Sequence, residues 1–375
     1  MLEIFVVSYT DFCNYKTLIT LKFKKMKNKH MILGVVLGNN FGNNPNTWRK
    51  PHIDPGSYTN IDATVKQAQA AERGGMDFMF LPDRLFMPGN PTMSPPMFNI
   101  DPIITLAAVA QATERIGLIG TASTSFTEPY LLARQLKALD VVSRGRAGWN
   151  AVPSYEAQAF ASFGKALPPS DKKYERLHEV MHIVQALWGS WGKEVGQPDQ
   201  TGIFADTAHI RSVNLQGKHV GTRGPLPVPP SEQGQPVIMM PVTSGYGLQA
   251  AGIYADLIIA MQANRSIRHT IQEAAVQAGR TEGDIKYLSF APFNGFTYKQ
   301  VADHLQRNFE AGAADGFVMN FDDFHTDIDD FVDNVIPILR ERGLVREGYE
   351  GATLRDHLGI QPLYGHDPRV NTIFE

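Results

Sequence analysis

The 375-residue chain predicts an α/β fold, a single (β/α)₈ barrel, on three observations. Short apolar runs alternate with amphipathic helical stretches from Met31 onward. The runs are continuous rather than alternating, as in parallel strands covered by helices. Eight such units can be counted, which favours a closed barrel over an open doubly wound sheet. Barrels of this length form one domain.

The units follow in order. MILGVVLG (31–38) reads as the first strand, with a helix over 60–73 that Asn60 caps. FMFLPD (78–83) is the second strand. Asp101-Pro102 opens the next helix, the Asp as N-cap and the Pro where a missing N–H costs nothing. GLIGTAS (117–123), a helix over 128–143, RAGWNAV (146–152) and a helix over 171–188 come next. A polar Gly- and Pro-rich excursion, 189–234, is too long for plain scaffold and is expected to pack as a lid or a subunit contact. PVIMMPVT (236–243), DLIIAMQ (256–262), IKYLSFAPF (285–293) and GFVMNF (316–321) supply four more strands. Helices over 245–255, 265–279, 298–312 and 327–342 alternate with them. The chain divides into an extension 1–30, the barrel 31–359 and a tail 360–375. The basic stretch LKFKKMKNKH precedes the first periodic structure, so Met26 or Met31 is a candidate start.

Composition bounds the function. Net charge is −3 with mixed signs, which argues against nucleic acid, whose phosphates call for a basic face. The single cysteine, Cys13, rules out a disulfide framework and fits a cytoplasmic protein. No run approaches the ~20 apolar residues that span a bilayer, and no secretory signal pattern is present.

An active site in such a barrel lies at the C-terminal ends of the strands. Those ends carry Asp83, Thr121 to Ser125, Asn150 to Ser154, Thr243 to Gly245 and Asn320 to Asp323. The set is rich in hydroxyls and amides and has no opposed carboxylate pair, so it suits a polar cofactor better than glycosidase chemistry. Asp83 reads either as an acceptor for a cofactor or as a helix cap or partner of Arg84. TSGYGLQA places Ser244, Gly245 and Gly247 between strand and helix, where free N–H groups meet a phosphate or the turn simply needs small residues. The ribose-binding acid of a dinucleotide site is not evident downstream. His178-Glu179-Val180-Met181-His182 has zinc-protease spacing but no third ligand follows, so packing is the favoured reading and no metal is expected. Trp48, Trp149 and Trp191 could stack on a ring, and each reads first as packing, as do Met239 and Met240.

The stretches AERGGMDFMFLPD, GLIGTASTSFTEPYLLARQLKALDVVSRGRAGWNAVPS, YERLHEVMHIVQALWGSW, RGPLPVPPSEQGQPVI and EAGAADGFVMNF, with the tail GYEGATLRDHLG, resemble a family of bacterial-luciferase-like monooxygenases. It is the family of nitrilotriacetate monooxygenase component A, pristinamycin IIA synthase and dibenzothiophene-sulfone monooxygenase. The resemblance runs from about Met31 to Gly359. It implies a luciferase-like barrel that uses reduced FMN from a separate NAD(P)H:flavin reductase. It further implies that O2 adds at the flavin C4a and that the resulting peroxyflavin oxygenates a small organic substrate. It implies FMN contacts at Asp83, Thr121, Tyr174 and Ser244, with Gly245 beside the last and Asn150 facing the same space. A homodimer or homotetramer is expected. A deazaflavin-dependent oxidoreductase and a flavin-binding protein without turnover remain as alternatives.

Three departures stand out. Ser170 occupies the place of a family His four residues before Tyr174. The early loop FGNNPNTWRKPH has Asn43 and Lys50 where relatives carry histidines, with His52 displaced. Finally, IKYLSFAPFNGFTYKQVADHL runs on without the relatives' insertion, which implies a more open pocket.

Overall fold

The computed structural model describes residues 30–365, apart from 196–199, 201, 203, 243, 244 and 282. Eight parallel strands close a barrel in the order β1-β10-β9-β8-β7-β4-β3-β2. They are β1 (Ile32–Val36), β2 (Phe78–Leu81), β3 (Gly117–Ser123), β4 (Ala147–Val152), β7 (Val237–Pro241), β8 (Leu257–Ala260), β9 (Lys286–Pro292) and β10 (Gly316–Asn320). The surrounding helices are α1 (Ile61–Arg73), α2 (Pro102–Ala112), α3 (Pro129–Val142), α5 (Ser170–Trp188), α6 (Gly245–Tyr254), α7 (Arg265–Gln277) and α8 (Tyr298–Glu310). The predicted (β/α)₈ fold is thus the observed one. Among the described residues no helix is long and apolar enough to cross a membrane.

The helix starts follow the expected chemistry. The Asn60 side chain accepts the Asp62 N–H, and Asp101 accepts those of Ile103 and Ile104. Each bond satisfies a donor that a helix N-terminus leaves orphaned. Thr297 and Gln300 form a reciprocal capping box at α8.

Ile32, Phe78, Phe80, Ile119, Met239, Ile259, Leu288 and Val318 fill the barrel interior. A Cβ on Gly34 would sit 2.3 Å from the Phe78 ring, so the glycine is what lets that ring occupy the axis. The bottom is closed by α11 (Leu354–Leu358), whose Leu354 and Leu358 join the interior cluster.

Local sequence pattern missed three features. The short helices α4 (Ala157–Ser162) and α11 lie in stretches too brief to show a period. The helix expected over 327–342 is interrupted: α9 (Asp327–Asp330) passes through a π-turn, Phe331–Val335, into α10 (Ile336–Glu341). Pro337 has no N–H to give the preceding turn, and the ladder widens there. The excursion 189–234 holds a small hairpin, β5 (Leu215–Gln216) with β6 (Gly221–Thr222), that the sequence pattern did not show. Its described part is bound to the barrel's flank and base. Glu179 on α5 accepts the N–H groups of Lys218, His219 and Val220, and Gln233 reaches Asp140 on α3 and the Ala147 carbonyl.

Candidate active site

Parallel register sets the site. Thr121 on β3 lies opposite Asn150 on β4, and both side chains enter the barrel mouth at one level. Asn150 Nδ2 donates to Thr121 Oγ1 at 2.9 Å, which leaves the threonine hydroxyl free to donate onward. Asn150 Oδ1 is buried and has no hydrogen-bond partner among the described residues. A buried carbonyl oxygen in that state costs about 1–3 kcal/mol, which a ligand donor would recover.

These residues border a cavity of about 110 Å³ that also takes in Asp83, Ser123, Ser154 and Glu156. Ser123 and Ser154 share a hydroxyl–hydroxyl bond of 2.9 Å, and Ser123 Oγ accepts the Ser125 N–H. Asp83, half-buried after β2, has its carboxyl pushed up to about 6 by burial. The Arg84 N–H works against that shift and the Asp101 charge adds to it. Arg84 itself faces Glu156, at 3.5 Å, rather than Asp83. Beyond the Arg84 N–H, the Asp83 carboxylate is left to meet a donor from outside.

The other predicted positions fall nearby or elsewhere. Tyr174 is buried on α5, its ring stacked on Tyr246 of α6 at 5.4 Å and 23°. Gly245 opens α6 with free space where a Cβ would be, while Ser244 lies outside the described residues. Ser170 opens α5 and is exposed. Trp149 is fully buried, set edge-on to Trp188, with Nε1 donating to the Ala122 carbonyl. Trp191 likewise donates to Leu226 O. Both are packing, and Met239 and Met240 are core. The histidine-rich motif also has a structural account. Glu179 anchors the hairpin, His178 Nδ1 lies 3.0 Å from the Tyr254 hydroxyl, and His182 is buried.

A second, larger cavity of about 630 Å³ opens on the opposite arc of the same mouth, at the ends of β8, β9 and β10. Its walls include Ser289, Phe290, Phe293, His304, Asn308 and Asp322. Sequence reading reached Asp322 as a strand end. It missed Ser289, mid-strand, and His304 and Asn308, which face it from α8 at an i, i+4 spacing that is common on any helix.

The early loop is tied to the β10 end. The buried Asp323 carboxylate accepts from Lys50 Nζ at 2.8 Å and lies 3.1 Å from His52 Nε2. Burial alone would raise this carboxyl, but the hydrogen bonds of Lys50, the His325 N–H and His52 hold it below the usual range. Lys50 and the displaced His52 thus serve to fix the loop.

The class defined by these features is a (β/α)₈ barrel with hydroxyl- and amide-lined cavities at its strand ends. The sequence profile of the luciferase-like monooxygenases matches residues 44–331, and the chain belongs to that family. N-acetyl-S-(2-succino)cysteine monooxygenase of Bacillus subtilis (strain 168) is 30% identical, over 89% of this chain and 98% of its own. Nitrilotriacetate monooxygenase component A of Aminobacter aminovorans is 27% identical, over 89% and 97%. Among solved structures, EDTA monooxygenase from Chelativorans sp. BNC1 superposes with a TM-score of 0.82 at 28% identity, covering 89% of this chain and 100% of that one. The family and the enzyme class expected from the sequence, a flavin-dependent monooxygenase, are therefore correct.

Proposed function

We propose that the protein is the oxygenase half of a two-component system. Reduced FMN arrives from a separate NAD(P)H:flavin reductase and is held at the barrel mouth, where O2 and a small organic substrate meet it. The observation that carries this reading is the Thr121–Asn150 pair, with its unpartnered Asn150 Oδ1, beside the desolvated Asp83 carboxyl. A flavin brings the complementary groups, ring N–H and ribityl hydroxyls. The 110 Å³ hollow is below the ~300 Å³ of a usual ligand pocket, so it would hold only part of the cofactor.

Each residue then has a task. Asp83 accepts a hydrogen bond from the ring or the ribityl chain, Thr121 donates and Asn150 accepts. The Tyr174–Tyr246 stack would wall the cofactor's tail, and Gly245 would offer the N-terminus of α6 to the phosphate, with Ser244 a contact that the family resemblance implies. The exposed Ser170 makes a weaker donor than the family His. Reduced FMN, when bound, would supply the two electrons that let O2 place one oxygen atom on the substrate and release the other as water. The chain's own contribution is to orient the cofactor and keep water from it, which is why no acid–base triad is needed. The name component A, carried by a relative, supports a partner reductase. Residues 31–359 form the working unit, in the cytoplasm with that reductase.

Oxygen uptake by the purified protein with FMN and NADH, with and without a flavin reductase, tests the assignment. Uptake is expected only with the reductase, and rapid NADH loss without it would overturn the two-component reading. Thr121→Ala and Asn150→Ala should each weaken FMN binding about tenfold or more, the ~1.5 kcal/mol of one good hydrogen bond. Unchanged affinity in both, followed by flavin fluorescence, would remove the pair from the site.

A further inference from the structure

The larger cavity has a property that bears on substrate choice. Its volume of about 630 Å³ suits a small molecule, and residues 293–297 alone join β9 to α8 beside it. Met261, Phe290, Pro292 and Phe293 give it apolar walls. Asp322 is the one formally charged residue among the described lining residues, and no Lys or Arg lines it. The main chain of Asp322 is fully engaged: its N–H donates to Asn294 Oδ1 at 3.0 Å and its carbonyl accepts from Thr47 Oγ1 at 2.7 Å. Its carboxylate has no hydrogen bond or ion pair among the described residues.

The surrounding charges are already matched. Lys50, whose field Asp322 feels, is held by Asp323. Asp327 takes Asn294 Nδ2 and the Asp323 N–H. Burial and then Arg307 push the His304 pKa down, so the ring adds no positive charge at neutral pH. Arg307 lines a neighbouring hollow of about 210 Å³, together with Asp303, which binds Lys299 and Arg342. A further vacant polar group sits in the cavity wall: Ser289, 1% exposed, whose hydroxyl has no partner among the described residues.

We infer that this cavity receives the substrate and selects a small organic cation, an amine on an apolar body, over a carboxylate. The inference rests on the monooxygenase reading for the word substrate and on Asp322 and its surroundings for the choice of charge. An ammonium here gains a charge-assisted hydrogen bond. A carboxylate meets a like charge and no cationic clamp, the arrangement by which sites reject the wrong partner. The apolar walls take the body, and the Ser289 hydroxyl and the amides of Gln262, Asn308 and Asn320 complete the polar contacts.

Three probes of nearly one shape separate the charges: benzylamine, benzyl alcohol and benzoate. Their binding to the full chain is measured at pH 7.5 by calorimetry, with an FMN titration alongside. Benzylamine should bind at least tenfold more tightly than benzoate, with the alcohol between. Asp322→Asn should erase that order, since the side chain holds nothing else in place, while Asp303→Asn in the neighbouring hollow should keep it. Benzoate binding as tightly as benzylamine, an order that survives Asp322→Asn, or one lost in Asp303→Asn would each overturn the inference. Absent FMN binding would strike at the monooxygenase reading alone, and an absent charge order at this cavity alone.

Discussion

The two ends of the barrel treat polar groups in opposite ways. At the N-terminal end, three aspartates stand just before β2, β8 and β10 and do the same double duty. Asp77 accepts the Leu33 N–H at 2.7 Å, Asp256 the Ile238 N–H at 3.0 Å and Asp315 the Tyr287 N–H at 2.9 Å. Each also pairs with an arginine: Arg346, Arg355 and Arg268 respectively. Arg146 adds bonds to the Ile116, Ala110 and Thr113 carbonyls. At the C-terminal end, Asn150 Oδ1 and Ser289 Oγ have no partner among the described residues, and Asp83 is a carboxyl raised by burial. The first end pairs these three carboxylates with arginines and strand N–H groups and so holds the fold. The second leaves these particular groups open for what binds, in keeping with the division of labour of such barrels.

If that contrast is right, damage to the base should be costly for stability. Arg355→Ala removes the arginine paired with Asp256, 3% exposed, and should cost about 3–5 kcal/mol. Chemical denaturation would show it, while FMN affinity of the folded fraction stays near wild type. A loss under 1 kcal/mol would mean that the base is held by packing alone.

The mouth should respond the other way. The Asp83 carboxyl titrates near 6 in the fold, above its unfolded value. The folded state therefore holds the proton between about pH 4 and 6, and stability falls as pH rises through that window. Asp83→Asn removes the dependence and should stabilise the free protein at pH 7 by roughly 1–2 kcal/mol, allowing for partial exposure. The same change should weaken FMN binding. Stability curves of the two proteins that run parallel from pH 4 to 7 would show that Asp83 is already satisfied.

The smallest effect is expected on the barrel's flank. Glu179→Gln loses the charge from three N–H contacts and should cost about 1 kcal/mol. Amide exchange should quicken at 218–220, and phenanthroline should leave turnover unchanged in both proteins. Sensitivity to the chelator, with zinc bound stoichiometrically, would restore the metal reading of the motif.

Much of the scaffold was legible because it is local. Asn60 and Asp101 announced their helices through single side-chain bonds to the next residues, and the apolar strands bounded by turns gave the barrel count. The strand-end rule brought Asp83, Thr121 and Asn150 into one list from positions far apart in the chain. Ser170 sits on the expected helix and is exposed at its start. Tyr246 was hidden inside a glycine motif that drew attention to its neighbours.

What the sequence by itself determined is the order and type of elements, the family and the polar character of the strand ends. Period, capping chemistry and motif order all act within a few residues or one strand–helix unit. Only the tertiary structure decided which of those polar groups find partners. Barrel closure sets β3 beside β4, so that Asn150 spends its Nδ2 on Thr121 and keeps its Oδ1 free, and it sets β1 beside β10, so that Lys50 reaches Asp323 and not Asp322. A residue's identity specifies what it can bond, but whether the bond is already made depends on neighbours that the chain brings together only when the ring of strands closes.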